Sequence, residues 1–137
     1  MIELTQEFGF DAAHFLNQGG GAANRRMHGH SFYAEVTLRG RADPATGWLR
    51  DLEEVKRVLD GIRESLDHRV LNDVEGLSNP TLENLARFIF DAARAKLPEV
   101  ARVTLRRPSY GQSCTYEELS SPVYGEGAER SEAEGGS

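Results

Sequence analysis

A chain of 137 residues with 39% hydrophobic residues can bury one modest core, so a single globular domain is expected. Its net charge of −6 and pI of about 5.2 give no basic footprint for nucleic acid, and no apolar run approaches the length of a membrane span. The one cysteine, Cys114, excludes a disulfide framework or a cysteine-bound zinc cluster, and the absence of a basic-then-apolar start at Met1-Ile-Glu-Leu-Thr makes the cytoplasm the expected location.

Residues 2–10 read as a strand. Ile2, Leu4, Gln6, Phe8 and Phe10 share one parity, and the strand-like run continues from Phe8 to His14. Leu16 to Asn24 contains Gly19-Gly20-Gly21 and no apolar period, which predicts a loop. The next strand, over 30–40, alternates Phe32, Ala34, Val36 and Leu38 with polar residues. His28 and His30 share the parity of that apolar set, so both project from the covered face or its rim. A turn at Asp43 to Gly47 leads to Asp51, a helix N-cap by residue type, because its carboxylate accepts the orphan amides of the first turn. The first helix then runs to about Leu66 on the spacing of Leu52, Val55, Leu59, Ile62 and Leu66.

An irregular connector, Leu71 to Gly76, precedes the second helix. Pro80 and the cap Thr81 open that helix; Leu85, Phe88, Ile89, Ala92, Ala93 and Leu97 form its buried stripe. Strands over Val100–Arg106 and Thr115–Leu119 follow, joined by Pro108 to Gly111. Residues 1–122 are therefore expected to form one domain. Residues 123–137, rich in Gly, Glu, Ser and Ala, are expected to form a disordered tail. The order β-β-α-α-β-β predicts an α+β layer: a four-stranded antiparallel sheet with two helices on one face. Its exposed edges need partners, so a homo-oligomer is expected.

Four histidines carry the chemistry. If the strands bearing His14 and His28/His30 pair, three imidazoles converge. Three histidines with an open fourth position are the ligand set of a catalytic zinc; the bland alternative is three surface histidines. His68 follows Asp67, a carboxylate able to fix an imidazole tautomer for acid–base work. The bland alternative for that pair is a helix C-cap by a cationic histidine. Arg25 and Arg26 precede His28, either meeting a phosphate or carboxylate or standing in water.

Phe10-Asp-Ala-Ala-His14, His28-Gly-His30, Gly47-Trp48-Leu49-Arg50-Asp51, Leu66-Asp67-His68 and Asn79-Pro80-Thr81-Leu82-Glu83-Asn84 together resemble the 6-pyruvoyltetrahydropterin synthase and 6-carboxytetrahydropterin synthase family. The resemblance covers about residues 2–120. It implies the tunnelling fold, in which sheets join into trimeric barrels stacked as hexamers, and a Zn2+ ion on His14, His28 and His30. It also implies a pterin-like small-molecule substrate related to 7,8-dihydroneopterin triphosphate and proton transfer by Asp67 and His68; Thr81, Arg25 and Arg26 are taken as candidate substrate contacts. Bacterial members mostly make the 6-carboxy product on the way to queuosine.

Two family residues are replaced. Asn24 stands at the position of the catalytic cysteine, and Pro108 at that of the glutamate that grips the pterin. Asparagine has no titratable proton, and a missing general base commonly costs about 10²–10⁴-fold in rate. Cys114 lies elsewhere, as a strand residue. Three readings follow: a zinc-dependent lyase that cleaves a dihydroneopterin side chain by retro-aldol chemistry, an ordinary 6-carboxytetrahydropterin synthase with relocated groups, or a non-catalytic metal- or ligand-binding oligomer.

Overall fold

The computed structural model describes residues 1–16, 21 and 25–118. Asn24 and residues 123–137 lie outside the described residues. The chain runs β1 (Ile2–His14), β2 (His28–Gly40), α1 (Leu52–Leu66), α2 (Leu82–Lys96), β3 (Val100–Arg107) and β4 (Gln112–Glu117), with single 3-10 turns at Leu71–Asp73 and Pro108–Tyr110. The four strands form one antiparallel sheet in the order β1-β2-β3-β4. This is the β-β-α-α-β-β architecture that the pattern predicts.

Alternation places Phe8, Phe10, Ala12 and His14 of β1 on the same face as His30, Phe32, Ala34, Val36 and Leu38 of β2 and Val103 and Leu105 of β3. Val55, Leu59, Ile62 and Leu66 of α1, with Leu85, Ala86, Ile89, Phe90 and Ala93 of α2, cover that face. Each buried Val, Leu, Ile or Phe side chain here contributes about 1.5–3 kcal/mol of transfer free energy, and the alanines less. Both predicted caps are present: Asp51 accepts the Glu53 amide at 2.9 Å and Thr81 accepts the Asn84 amide at 3.1 Å.

Several element bounds and faces differ from the pattern. β1 runs to His14, as the strand-like run from Phe8 suggested, while β2 begins at His28, two residues ahead of the expected start at 30, because it offers partners for all of 11–14. β3 runs on to Arg107, and β4 begins at Gln112 and ends at Glu117, because Arg107 and Gln112 pair across the turn. Leu52 is exposed at the first turn of α1, ahead of the sheet's cover. In α2, Ala86 and Phe90 are buried while Phe88 and Ala92 are half-buried, a stripe rotated from the one that spacing suggested.

The segment after α1 closes part of the sheet's edge. The His68 amide donates to the Asp11 carbonyl (2.6 Å), the Ala13 amide donates to the Arg69 carbonyl (3.0 Å), and Val70 pairs in parallel with Ala13. This brings residues far apart in sequence to the end of β1 that carries His14.

Candidate metal centre and acid–base pair

Antiparallel register sets His14 opposite His28 and Ala12 opposite His30. All three imidazoles lie on the helix-covered face at one end of the sheet. Their ring centroids are 4.7 Å (His14–His28), 5.1 Å (His14–His30) and 4.9 Å (His28–His30) apart, each pair nearly edge-on. One ring nitrogen from each falls within 4.8 Å of the others. The floor beneath them is Phe32, which is 1% exposed.

Backbone carbonyls orient two of the rings. His14 Nδ1 lies 2.9 Å from the Pro80 carbonyl and His28 Nδ1 2.7 Å from the Arg26 carbonyl. Carbonyls only accept, so each Nδ1 carries the proton and each Nε2 keeps its lone pair, the outer-shell arrangement that metal-bound histidines use. Burial holds His14 below its ordinary pKa against the opposing pull of the Pro80 carbonyl. Burial, followed by the nearby Arg107 guanidinium, lowers His30 to about 4. Both are thus neutral near pH 7, as metal ligation requires. His14 Nε2, which keeps its lone pair, is buried without a hydrogen-bond partner among the described residues, and an orphaned buried ring nitrogen is costly unless something binds it. His30 Nε2 faces the Arg107 guanidinium, which can only donate, so the neutral His30 ring carries its proton on Nδ1 and its lone pair on Nε2. The donor set fits a metal ion.

A second cluster joins Asp11, Asp67 and His68. Asp67 is the C-cap of α1, and its Oδ1 accepts the Asp11 amide at 2.9 Å. Its Oδ2 lies 3.1 Å from His68 Nδ1 and 3.1 Å from the Arg63 guanidinium. These contacts, the Asp11 amide first, hold the Asp67 carboxyl below its usual range. Ser31 Oγ donates to Asp11 Oδ1 at 2.6 Å. His68 occupies the left-handed region at φ 59°, which glycine usually fills after a helix. Its side chain is 79% exposed. Capping and pairing are therefore one arrangement: Asp67 ends the helix and holds the imidazole. His68 and His30 line the same open cleft of about 630 Å³, with Asp11, Gly29, Ser31 and Ser109.

The Thr81 hydroxyl is engaged in capping α2, and its neighbour Pro80 holds His14. Arg25 and Arg26 are exposed, and among the described residues their side chains make no hydrogen bond or ion pair; the Arg26 carbonyl, not its guanidinium, serves the site. Pro108 opens the exposed turn after β3, without a carboxylate. Cys114 is half-buried on β4, and burial raises its thiol, which disfavours the thiolate. Two neighbours of His30 escape the sequence reading: Arg107, with Nη1 3.3 Å from His30 Nε2, and Tyr110, whose ring centroid is 4.8 Å from that of His30. Arg107 shares the parity of Val103 and Leu105, the one signal that would have placed it on this face.

The family model described as 6-pyruvoyl tetrahydropterin synthase matches residues 3–119. The chain is 38% identical over 89 residues to a dihydroneopterin monophosphate aldolase of Pyrococcus furiosus, covering 65% of this chain and 72% of that protein. It is 37% identical over 117 residues to a 6-carboxy-5,6,7,8-tetrahydropterin synthase of Synechocystis, covering 82% of this chain and 87% of that protein. Among solved structures, 6-pyruvoyl tetrahydropterin synthase of Caenorhabditis elegans superposes with a TM-score of 0.75 at 26% identity, covering 85% of this chain and 95% of that one.

Proposed function

Because the chain belongs to the 6-pyruvoyl tetrahydropterin synthase family, we propose that it is a zinc-dependent aldolase that cleaves the side chain of a 7,8-dihydroneopterin, free or phosphorylated, to a 6-hydroxymethyl pterin. His14, His28 and His30 would hold the zinc. When bound, the ion acts as a Lewis acid toward the side-chain hydroxyls and makes them easier to deprotonate.

The remaining work falls to the chain. Asp67 accepts a hydrogen bond from the Nδ1–H of His68 and leaves Nε2 free to accept a proton. His68 takes the proton of the 2′ hydroxyl. The C1′–C2′ bond breaks as C2′ becomes an aldehyde carbonyl, and the electron pair passes from C1′ into the conjugated C6–N5 imine. The proton returns to C1′, giving the hydroxymethyl group, and C2′ and C3′ leave as glycolaldehyde or its phosphate. No thiol is needed, and this agrees with Asn24 at the position where the family's synthases carry cysteine.

The observation that carries this reading is the three-imidazole cluster, whose His30 lines the same cleft as His68, together with the ionised Asp67 held against His68. The similarity to the Pyrococcus aldolase supports the choice of reaction. The similarity to the Synechocystis synthase supports a second reading, 6-carboxytetrahydropterin synthesis. Mass spectrometry of zinc-loaded protein incubated with dihydroneopterin, its 3′-phosphate and its triphosphate separates them. A 6-hydroxymethyl product is expected; a 6-carboxy product with acetaldehyde would establish the synthase. His68→Ala is expected to lower turnover by about 10²–10⁴-fold at unchanged zinc content. Absence of turnover in the parent protein would leave a binding module.

A further inference from the structure

Five arginines are partly buried among the described residues: Arg50, Arg94, Arg102, Arg106 and Arg107. Four of them reach a carboxylate within 4.0 Å: Arg50 meets Glu99 and Glu54, Arg94 meets Glu118, Arg102 meets Glu3, and Arg106 meets Glu7 and Glu35. Arg107 has no carboxylate among the described residues. It donates instead to two neutral acceptors, His30 Nε2 and Gln112 Oε1, and its Nε is buried without a partner. Its guanidinium lies 5.5 Å from the centroid of the Tyr110 ring.

A partly buried cation without a counter-ion is costly unless an anion completes it. Guanidinium remains protonated in proteins and presents a fork that matches phosphate oxygens. Its position gives the anion an address. Arg107 adjoins His30, one of three imidazoles that would hold the ion facing the substrate's hydroxyls. In a dihydroneopterin side chain, the 3′ oxygen hangs one carbon beyond the 2′ hydroxyl, so a phosphate there reaches the neighbour of the imidazoles. A metal ion on those imidazoles adds positive charge beside Arg107 and strengthens the demand for an anionic substrate group.

From this placement we infer that Arg107 is a specificity-determining residue that receives the phosphate of a 3′-phosphorylated dihydroneopterin beside the three-histidine site. The inference rests on the aldolase reading for its substrate, but Arg107's affinity for phosphate can be read without turnover. Cleavage of dihydroneopterin 3′-phosphate and of unphosphorylated dihydroneopterin is to be compared in zinc-loaded wild type, Arg107→Gln and Arg107→Lys. The ratio of kcat/KM for the phosphorylated over the free substrate is expected to fall about 10- to 100-fold in Arg107→Gln, the equivalent of a charge-assisted hydrogen bond, and to recover in part in Arg107→Lys. An unchanged ratio, with both substrates losing alike or neither losing, would show that Arg107 merely props His30 and would overturn the inference.

If the wild type turns over neither substrate, the aldolase reading fails by itself. Calorimetric titration of the zinc-loaded protein with inorganic phosphate then decides: binding that weakens about 10-fold or more in Arg107→Gln sustains the inference, and phosphate binding that is absent, or equal in both proteins, overturns it.

Discussion

His30 shows how a single residue serves two ends. It is 6% exposed, faces a guanidinium and stacks edge-on against Phe32, so its charged form is disfavoured and its neutral form is ready to bind a metal. That preference has a thermodynamic consequence. In the unfolded chain His30 protonates near 6.5; in the folded protein burial and Arg107 bring it to about 4, and His14 is shifted the same way. Between these values the unfolded chain binds more protons than the native one, so stability rises with pH through this window. For metal-free protein the contribution is fully present above about 6.5 and is lost as pH falls through about 4. Urea midpoints measured from pH 4 to 7 are expected to climb with pH, and His30→Gln to flatten the slope. A wild-type profile as flat as the variant's would refute the assignment.

The end of α1 carries the corresponding conflict for an element. A helix stop usually falls on glycine, yet this helix stops with Asp67 as cap and His68 at φ 59°. A side chain in the left-handed region costs about 1–2 kcal/mol relative to glycine. What the histidine gains in exchange is the contact with Asp67 and a place at the cleft. His68→Gly is therefore expected to stabilise the protein by about 1 kcal/mol in thermal or urea unfolding while turnover is lost. A variant that is both less stable and fully active would contradict the reading. The start of α2 has a related coupling: Thr81 caps the helix while Pro80, immediately before it, orients His14.

Across the whole molecule, the sheet has unfinished edges. Segment 68–70 and the Arg63 guanidinium cover β1 from Gly9 to Ala13, whereas residues 2–8 of β1 and the outer side of β4 have no strand partner among the described residues. The face away from the helices bears a ladder of opposite charges: Glu3 with Arg102 and Arg39, and Arg106 with Glu7 and Glu35. Such exposed pairs contribute little individually, but they suit a wet surface and not a dry sheet-on-sheet interface. Edge-to-edge joining of β1 to a neighbour's β4 would satisfy both features. Sedimentation equilibrium is expected to give three or six times the 15.2 kDa chain mass; a monomer at micromolar concentration would overturn this.

Much of this protein was legible in its residues. Alternation in Phe8 to His14 and His28 to Leu38 specified which face each histidine takes, because side chains in a strand alternate by geometry alone. The caps Asp51 and Thr81 were legible because capping is a local hydrogen bond. The fold order followed from element spacing. Other features depend on contacts between residues distant in the chain, which local pattern does not encode. Asp67 meets the Asp11 amide 56 residues away, and the Pro80 carbonyl selects the tautomer of His14 from 66 residues away. Arg107 approaches His30 only because β3 pairs with β2 in one particular register. Sequence by itself determined the three-histidine set and the layer that carries it; tertiary structure decided which ring nitrogens are left without partners and which cation stands beside them.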